Sequence, residues 1–108
     1  MNLTLPEPVA AYLAADKAND SALLALCFTA DAHVHDEAHD YRGTAAILAW
    51  KQESSANYRY AVEPLTVSSA GQNVALHARL TGSFPGSPTE LDYLFTLSGD
   101  KIAELEIK

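Results

Sequence analysis

The chain has 108 residues, of which 48% are hydrophobic and 19% are charged, a composition typical of globular proteins. A chain of this length builds one hydrophobic core, so we expect a single domain over residues 1–108. The formal net charge is −7, and no segment clusters Lys or Arg. Phosphate backbones and anionic membranes are bound through such clusters, so nucleic acid and membrane are poor partners. A neutral or cationic small molecule fits better.

Cys27 is the one cysteine of the sequence, so an internal disulfide cannot form. The first residues lack a basic segment followed by a long apolar run, and no window approaches the roughly 18–20 apolar residues that cross a bilayer. We therefore expect a soluble, cytoplasmic protein. Cys27 lies in the apolar run LLALCF, where a buried, unreactive thiol is expected.

The first 30 residues predict a helical hairpin. Pro6 and Pro8 suit the start and the first turn of a helix. One face of this helix carries an apolar stripe with a polar tail, formed by Val9, Tyr12, Leu13 and Asp16. Residues 18–20, AND, interrupt the pattern, and Asp20 is a good N-cap for a second helix. The apolar face of the second helix consists of Leu23, Leu24, Cys27 and Phe28.

A short extended segment, a turn and a third helix follow. HVHDE, residues 33–37, alternates with the period of a strand, and AHDYRG, residues 38–43, is typical of a turn. The third helix is predicted from about Thr44, which can cap it, to about Asn57. Its apolar stripe runs through Ile47, Trp50, Lys51 and Ser54, and Leu48 and Ala49 widen the apolar side.

The remainder of the chain predicts four strands. They are YRYAVEPLTV, NVALHARLTGSF, TELDYLFTL and KIAELEI, separated by turn signals at residues 69–72, 85–88 and 98–100. Three helices followed by a strand meander predict an α+β protein with the helices on one face of an antiparallel sheet.

Three segments carry a resemblance to a known family: FTADAHVHDE, YRGTAAILAW and the closing SGDKIAELEI. In this order the chain resembles the SnoaL-like branch of the nuclear transport factor 2-like superfamily, which includes ketosteroid isomerases and polyketide cyclases. The resemblance implies a cone-shaped α+β barrel, with three N-terminal helices packed in a strongly curved antiparallel sheet. It also implies an apolar pocket at the open end of the cone and a homodimer across the outer sheet face.

Strand alternation indicates which side chains face that pocket. Val34 is the apolar member of HVHDE, so Val34 and Asp36 are expected to point inward. His33, His35 and Glu37 are then expected to point away from the pocket.

The resemblance implies catalytic roles for Asp36 and Tyr12. Through A-x-V-x-D, Asp36 occupies the position of the proton-abstracting aspartate of ketosteroid isomerases, and Tyr12 occupies that of their oxyanion-binding tyrosine. A carboxylate in an apolar pocket is a better base near neutral pH, and a tyrosine hydroxyl can stabilise an enolate. This chemistry uses no metal or organic cofactor. Alternatively, Asp36 forms a structural ion pair with Arg42, and Tyr12 only fills the core.

The histidines of the segment Asp31 to Gly43 raise the possibility of a metal site. His33, His35 and His39 resemble the histidine spacing of cupin metal sites. A cupin is all-β, however, and this stretch lies between helices. Because alternation also turns these side chains away from the pocket, we expect a solvated or interface face and no bound metal, with a role at the rim of the pocket as the remaining alternative.

The isomerase site has a third member, an inward acid on a later strand, and here the sequence departs. Counting back from DKI places Asp92 at that position. The apolar residues Leu91, Tyr93, Phe95 and Leu97 alternate, however, which turns Asp92 outward. We expect Tyr93 inward, because a one-residue slip would expose four large side chains.

The same alternation completes the expected pocket and the expected dimer face. It gives Val34, Leu76, Tyr93 and Phe95 as pocket walls. Trp50 on the third helix is a further expected pocket wall, with plain core packing as the alternative. The outer row consists of His77, Arg79, Leu94 and Thr96.

The sequence thus predicts a SnoaL-like pocket protein for a small apolar or aromatic ligand. Its activity is expected to be that of a cofactor-free isomerase or cyclase, acting by proton transfer on an apolar carbonyl substrate. The alternative is a non-catalytic ligand carrier or a dimeric interaction module with the same fold.

Overall fold

The computed structural model describes residues 5–36, 38–57 and 60–108. Within these residues the elements are α1 (Glu7–Ala18), α2 (Ser21–Cys27), β1 (Phe28–Asp36), β2 (His39–Arg42), α3 (Gly43–Asn57), β3 (Tyr60–Ala70), β4 (Asn73–Gly82), β5 (Thr89–Ser98) and β6 (Lys101–Ile107). The strands form one open sheet in the order β2-β1-β6-β5-β4-β3. None of the described helices is long and apolar enough to cross a membrane.

The helices begin and end close to the predicted positions. Pro6 precedes α1, and Asn19 ends it in the left-handed conformation, with φ 54°. The Asp20 side chain accepts hydrogen bonds from the backbone N–H groups of Ala22 and Leu23 at 3.0 and 3.1 Å, which confirms the predicted N-cap of α2. α3 begins one residue earlier than predicted, at Gly43, whose φ of 83° suits glycine at the strand-to-helix turn.

Three details of the predicted sheet are wrong. β1 begins at Phe28, which was predicted to lie on the second helix, and not at His33. Most of the segment predicted as a turn, residues 38–43, forms β2, which pairs antiparallel with β1. In addition, β1 pairs parallel with β6, so the sheet is mixed and not purely antiparallel. This parallel pair arises because the meander β3–β6 leads the chain back to the free edge of β1. Pairing on both edges satisfies the backbone groups of β1.

The α+β class, with three helices packed on a curved sheet, is confirmed. Register shifts interrupt the β1–β6, β3–β4 and β5–β6 ladders. Such bulges bend a strand and increase its twist, which allows an open sheet to curve around helices.

The core lies between the helices and the inner sheet face. In β4 the residues Val74, Leu76, Ala78 and Leu80 are buried, which is the predicted alternation. Cys27 is also buried, and its Sγ lies 3.3 Å from the carbonyl oxygen of Leu23. Burial raises the pKa of this thiol.

Candidate functional site

A cavity of about 480 Å³ opens beside α3 and the inner face of the sheet. Its aromatic lining consists of Tyr41, Trp50, Tyr60, Phe84 and Tyr93, and its aliphatic lining includes Leu80, Leu91 and Ile107. The charged residues in the lining are Asp36, Lys51 and Glu53. A concave, mostly apolar space of this size with a few polar groups is typical of a small-molecule site.

Asp36 is the last residue of β1, and strand alternation turns its carboxylate into this cavity. Its Oδ2 accepts a hydrogen bond of 3.0 Å from Nε1 of Trp50 on α3. Arg42 lies opposite His33 in the backbone register, at the other end of the β1–β2 ladder. Among the described residues, no ion pair joins Arg42 to Asp36. The partner of Asp36 in the structure is therefore the Trp50 indole and not the Arg42 guanidinium.

The predicted pocket residues lie at two depths. Trp50 and Tyr93 line the cavity. Val34, Leu76 and Phe95 are fully buried in the core beyond the lining. Phe95 stacks on Tyr93 with a centroid distance of 6.3 Å and so supports the cavity wall from behind. A direct ligand contact of the three deeper residues stays a prediction.

Tyr12 is buried in the core and is absent from the cavity lining. Its ring makes edge contacts with Phe28 and Phe95 at centroid distances of 5.9 and 5.7 Å. Within the described part of the chain, its hydroxyl group has no hydrogen-bond partner. Burial raises the pKa of this hydroxyl, which keeps it protonated and able to donate. Its role as an oxyanion donor stays a prediction.

Lys51 is a candidate functional residue that the sequence interpretation missed. Its Nζ lies 2.8 Å from Oδ1 of Asp16 on α1 and donates a 2.7 Å hydrogen bond to the Tyr60 hydroxyl. The Tyr60 hydroxyl in turn donates to the same Asp16 oxygen at 3.4 Å. Around the ammonium lie the rings of Trp50, Tyr60 and Tyr12, at 4.8, 5.5 and 5.7 Å from their centroids. A cation over aromatic faces is stabilised by the ring quadrupoles.

The electrostatic environment keeps this cluster protonated. Burial disfavours the charged form of Lys51, but the neighbouring Tyr12 and Asp16 outweigh that penalty and raise its pKa. Burial also raises the pKa values of Tyr60 and Tyr93. Near neutral pH the cavity therefore presents an ammonium group and protonated phenols.

A sequence signal for the buried pair exists. Asp16 is the polar end of the apolar stripe of α1, and Lys51 lies within the apolar stripe of α3. Opposite charges on the buried faces of two helices indicate an ion pair between the helices, because an unpaired buried charge is very costly.

The histidines of β1 point away from the cavity and contact β2. His33 Nε2 and His35 Nδ1 lie 2.7 and 2.8 Å from Oδ1 of Asp40. The described residues contain no group of three or more His, Cys, Asp or Glu arranged to hold a metal ion. Glu37, expected on the same face, lies outside the described residues.

The outer face of the sheet carries a second charged cluster. His77 Nδ1 lies 2.7 Å from Asp92, and its Nε2 lies 2.7 Å from Glu90. Asp92 therefore faces outward and Tyr93 inward, as alternation predicts. Arg79 lies 3.5 Å from Glu63 and 3.7 Å from Glu90. A homodimer across this face stays a prediction.

The sequence was compared with models of known protein families. Residues 9–105 match the model of the SnoaL-like domain, so the chain belongs to the SnoaL-like domain family. This confirms the resemblance inferred from the three sequence segments. None of the proteins with curated functions matches the chain.

Similar solved structures support the fold. A Sinorhizobium meliloti protein, provisionally named a polyketide cyclase, is 39% identical with a TM-score of 0.94, over 96% of this chain and 95% of that one. A Catenulispora acidiphila protein with a ketosteroid isomerase-like fold, solved in complex with trimethylamine, is 27% identical with a TM-score of 0.85, over 97% and 86%. A Pseudomonas putida protein, also provisionally named a polyketide cyclase, is 20% identical with a TM-score of 0.77, over 99% and 92%, and shows the fold alone.

Proposed function

We propose that this protein is a cofactor-free isomerase or cyclase that moves a proton on a small apolar carbonyl compound, with Asp36 as the general base. One observation carries the proposal. The Asp36 carboxylate lines an aromatic cavity of about 480 Å³ and is oriented there by the Trp50 N–H at 3.0 Å. A base fixed within hydrogen-bond reach of its substrate is the main requirement of general base catalysis.

The reaction begins when Asp36 takes a proton from the carbon next to the substrate carbonyl. The electron pair of the broken C–H bond moves into the new C=C bond, and the carbonyl oxygen becomes an enolate oxygen. In an isomerisation, protonated Asp36 returns the proton to a different carbon. In a cyclisation, the enolate carbon attacks a second carbonyl carbon of the same molecule, and the resulting alkoxide takes the proton.

The names of the relatives support a carbonyl substrate. The Sinorhizobium meliloti protein is provisionally named a polyketide cyclase, and polyketides carry repeated carbonyl groups with acidic C–H bonds between them. The wall of the cavity is mostly aromatic and aliphatic, which suits the apolar part of such a molecule.

A non-catalytic ligand carrier is the second candidate. It is favoured by Tyr12, which packs against Phe28 and Phe95 in the core and does not line the cavity. A carrier needs the cavity but not the basicity of Asp36, so the two functions respond differently to loss of this carboxylate.

The test is the exchange of hydrogen for deuterium next to the carbonyl of α-tetralone, a small aromatic ketone, followed by NMR in D2O. We expect the parent protein to catalyse the exchange and Asp36→Asn to reduce the rate by about 100-fold or more, a typical effect of losing a general base. Asn keeps an oxygen that can accept the Trp50 N–H, so the stability of the variant should be unchanged or raised by roughly 1 kcal/mol.

The matched control is Asp100→Asn in the exposed turn between β5 and β6, which should leave the exchange rate unchanged. Retained exchange in Asp36→Asn, or a clearly lower unfolding midpoint, would contradict the assignment of Asp36. Binding of α-tetralone by the parent protein without hydrogen exchange would favour the non-catalytic ligand carrier as the function.

A further inference from the structure

The ion pair between Lys51 and Asp16 is deeply buried. Each side chain is only 9% exposed, and the two are 2.8 Å apart. Removing two charges from water is expensive, and apolar side chains of similar volume often give a fold at least as stable. A buried charge that borders a cavity is therefore a candidate for a functional role.

The geometry leaves part of the ammonium group available. A lysine ammonium has three N–H donors. Two of those of Lys51 are directed to Asp16 and to the Tyr60 hydroxyl. The Tyr12 hydroxyl lies beside the ammonium but forms no hydrogen bond with it among the described residues, which leaves the third N–H. Lys51 also belongs to the lining of the cavity. The third N–H can thus serve a ligand without breaking the ion pair.

Lys51 and Asp36 are linked through one indole ring. Asp36 bonds to Nε1 of Trp50, and the ammonium of Lys51 lies 4.8 Å from the centroid of the same tryptophan. A small bound molecule can therefore present a C–H bond to the carboxylate while its oxygen points toward the ammonium.

We propose that Lys51 is the oxyanion-stabilising residue of this site, and that the cavity accepts neutral carbonyl compounds whose oxygen binds the third N–H of Lys51. The assignment rests on the proposed function above and names the charge partner of its enolate intermediate.

The charge balance supports this assignment. When Asp36 takes the proton it becomes neutral, and the negative charge moves to the substrate oxygen. The net charge of the cavity contents does not change, but the charge moves from the carboxylate toward the ammonium. A positive group already in place at the developing charge lowers the barrier without solvent reorganisation. A neutral substrate also fits a chain of net charge −7, which repels anions.

The first test is a binding experiment that does not depend on turnover. 4-Nitrophenol mimics the enolate state, because it can give its proton to Asp36 and place its oxygen on Lys51, and its anion is identified by its visible absorbance. At a pH below the pKa of the free phenol, we expect the parent to bind it with an increased fraction of the phenolate form. The analogue 4-nitroanisole has no acidic proton and should show no such change.

The variant is the double substitution Lys51→Met with Asp16→Asn, which removes both charges together and so leaves neither of them buried and unpaired. We expect the bound phenol to stay neutral in this variant. We also expect α-tetralone exchange to slow by about 100-fold or more, typical of a lost oxyanion donor. The affinity for the ketone should fall by much less, because the ketone oxygen carries less negative charge than the enolate oxygen. The control is Lys17→Met on the exposed side of α1, which should behave as the parent.

Each outcome has a defined meaning. Undiminished phenolate binding and exchange in the double variant would overturn the role of Lys51. Loss of exchange in Asp36→Asn together with normal exchange in the double variant would refute the role of Lys51 and leave Asp36 as the general base. Normal exchange in Asp36→Asn would refute the proposed function instead.

If the double variant does not fold, the parent protein alone still decides the question. A series of phenols of equal size and rising acidity should bind with a rising phenolate fraction. A bound fraction no higher than in free solution would overturn the proposal.

Discussion

At the scale of a single residue, Tyr12 buries a polar hydroxyl group in the apolar core. Its side chain is 1% exposed, and its hydroxyl has no hydrogen-bond partner among the described residues. A buried polar group without a partner costs about 1–3 kcal/mol. Such a cost persists only where surrounding packing or function compensates for it.

We expect Tyr12→Phe to leave the unfolding midpoint unchanged or to raise it, because the substitution removes the unsatisfied hydroxyl and keeps the ring contacts with Phe28 and Phe95. If Tyr12 also donates to the enolate oxygen, as the resemblance to ketosteroid isomerases implies, α-tetralone exchange should fall by at least about tenfold. Thermal unfolding and NMR exchange measure the two effects separately. An unchanged rate would remove Tyr12 from the catalytic group, and a lower midpoint would show an unrecognised hydrogen bond.

For single residues, the sequence predicts the side-chain directions that follow from strand periodicity. It does not predict contacts between elements that are distant in the sequence. The inward direction of Asp36 and Tyr93 follows from strand alternation, which needs no knowledge of neighbouring elements. The cluster of Lys51, Asp16 and Tyr60 brings together two helices and a strand that are distant in sequence. Each of its members was visible in its own element, but their meeting depends on how the helices pack.

At the scale of elements, two strand pairs are each joined by hydrogen bonds between histidine and carboxylate side chains. His35 and Asp40 join β1 to β2, and His77 joins β4 to Asp92 on β5. The hydrogen bond with Asp40 raises the pKa of His35 above 6.5, and the bond with Asp92 does the same for His77. The bond with His35 lowers the pKa of Asp40 below 3.8.

The direction of the pH dependence follows from these shifts. A raised histidine pKa stabilises the fold below 6.5, and this contribution is lost as pH rises through the folded pKa. A lowered aspartate pKa stabilises above 3.8, and this contribution is lost as pH falls through the folded pKa. The β1–β2 contact should therefore be strongest between these two values.

NMR titration of the histidine ring signals tests this directly. We expect both His35 and His77 to titrate above pH 6.5, and Asp40→Asn to shift the midpoint of His35 back toward 6.5 because its hydrogen-bonded carboxylate is gone. His77 is the internal control and should keep its midpoint in this variant. Asp92→Asn should give the opposite pattern, and a common shift of both histidines would contradict the local origin of the effect.

There is also a physical reason why the sequence did not predict β2 and the parallel pairing of β1 with β6. β2 is only four residues long and its segment AHDYRG contains Asp and Gly, which favour turns. The parallel pairing of β1 with β6 depends on the path of the whole chain and not on the composition of either strand. The four-strand meander was predicted correctly because each strand alternates clearly and each turn carries Gly or Pro.

At the scale of the whole molecule, the aromatic cluster around the cavity makes the stability depend on pH in the alkaline range. Burial is the main cause that raises the pKa values of Tyr12, Tyr60 and Tyr93 above 10.0. The pKa of Lys51 is likewise raised above 10.5, because Tyr12 and Asp16 outweigh the burial penalty. All four groups thus hold their protons more tightly in the folded state than in the unfolded chain.

We therefore expect the contribution of these four groups to the stability to be constant below about pH 10 and to fall steeply above it. The unfolded chain loses these protons first and binds fewer of them than the folded state, so the free energy of unfolding decreases as pH rises. Each group contributes up to about 1.4 kcal/mol per pH unit, and Tyr93→Phe should reduce the slope by one such contribution. Urea unfolding at a series of pH values gives the slope, and the ultraviolet absorbance of tyrosinate shows when the buried phenols ionise. If Tyr12, Tyr60 and Tyr93 ionised near pH 10 while the protein remained folded, the cluster would be open to solvent, and both the buried ion pair and the oxyanion role of Lys51 would lose their structural basis.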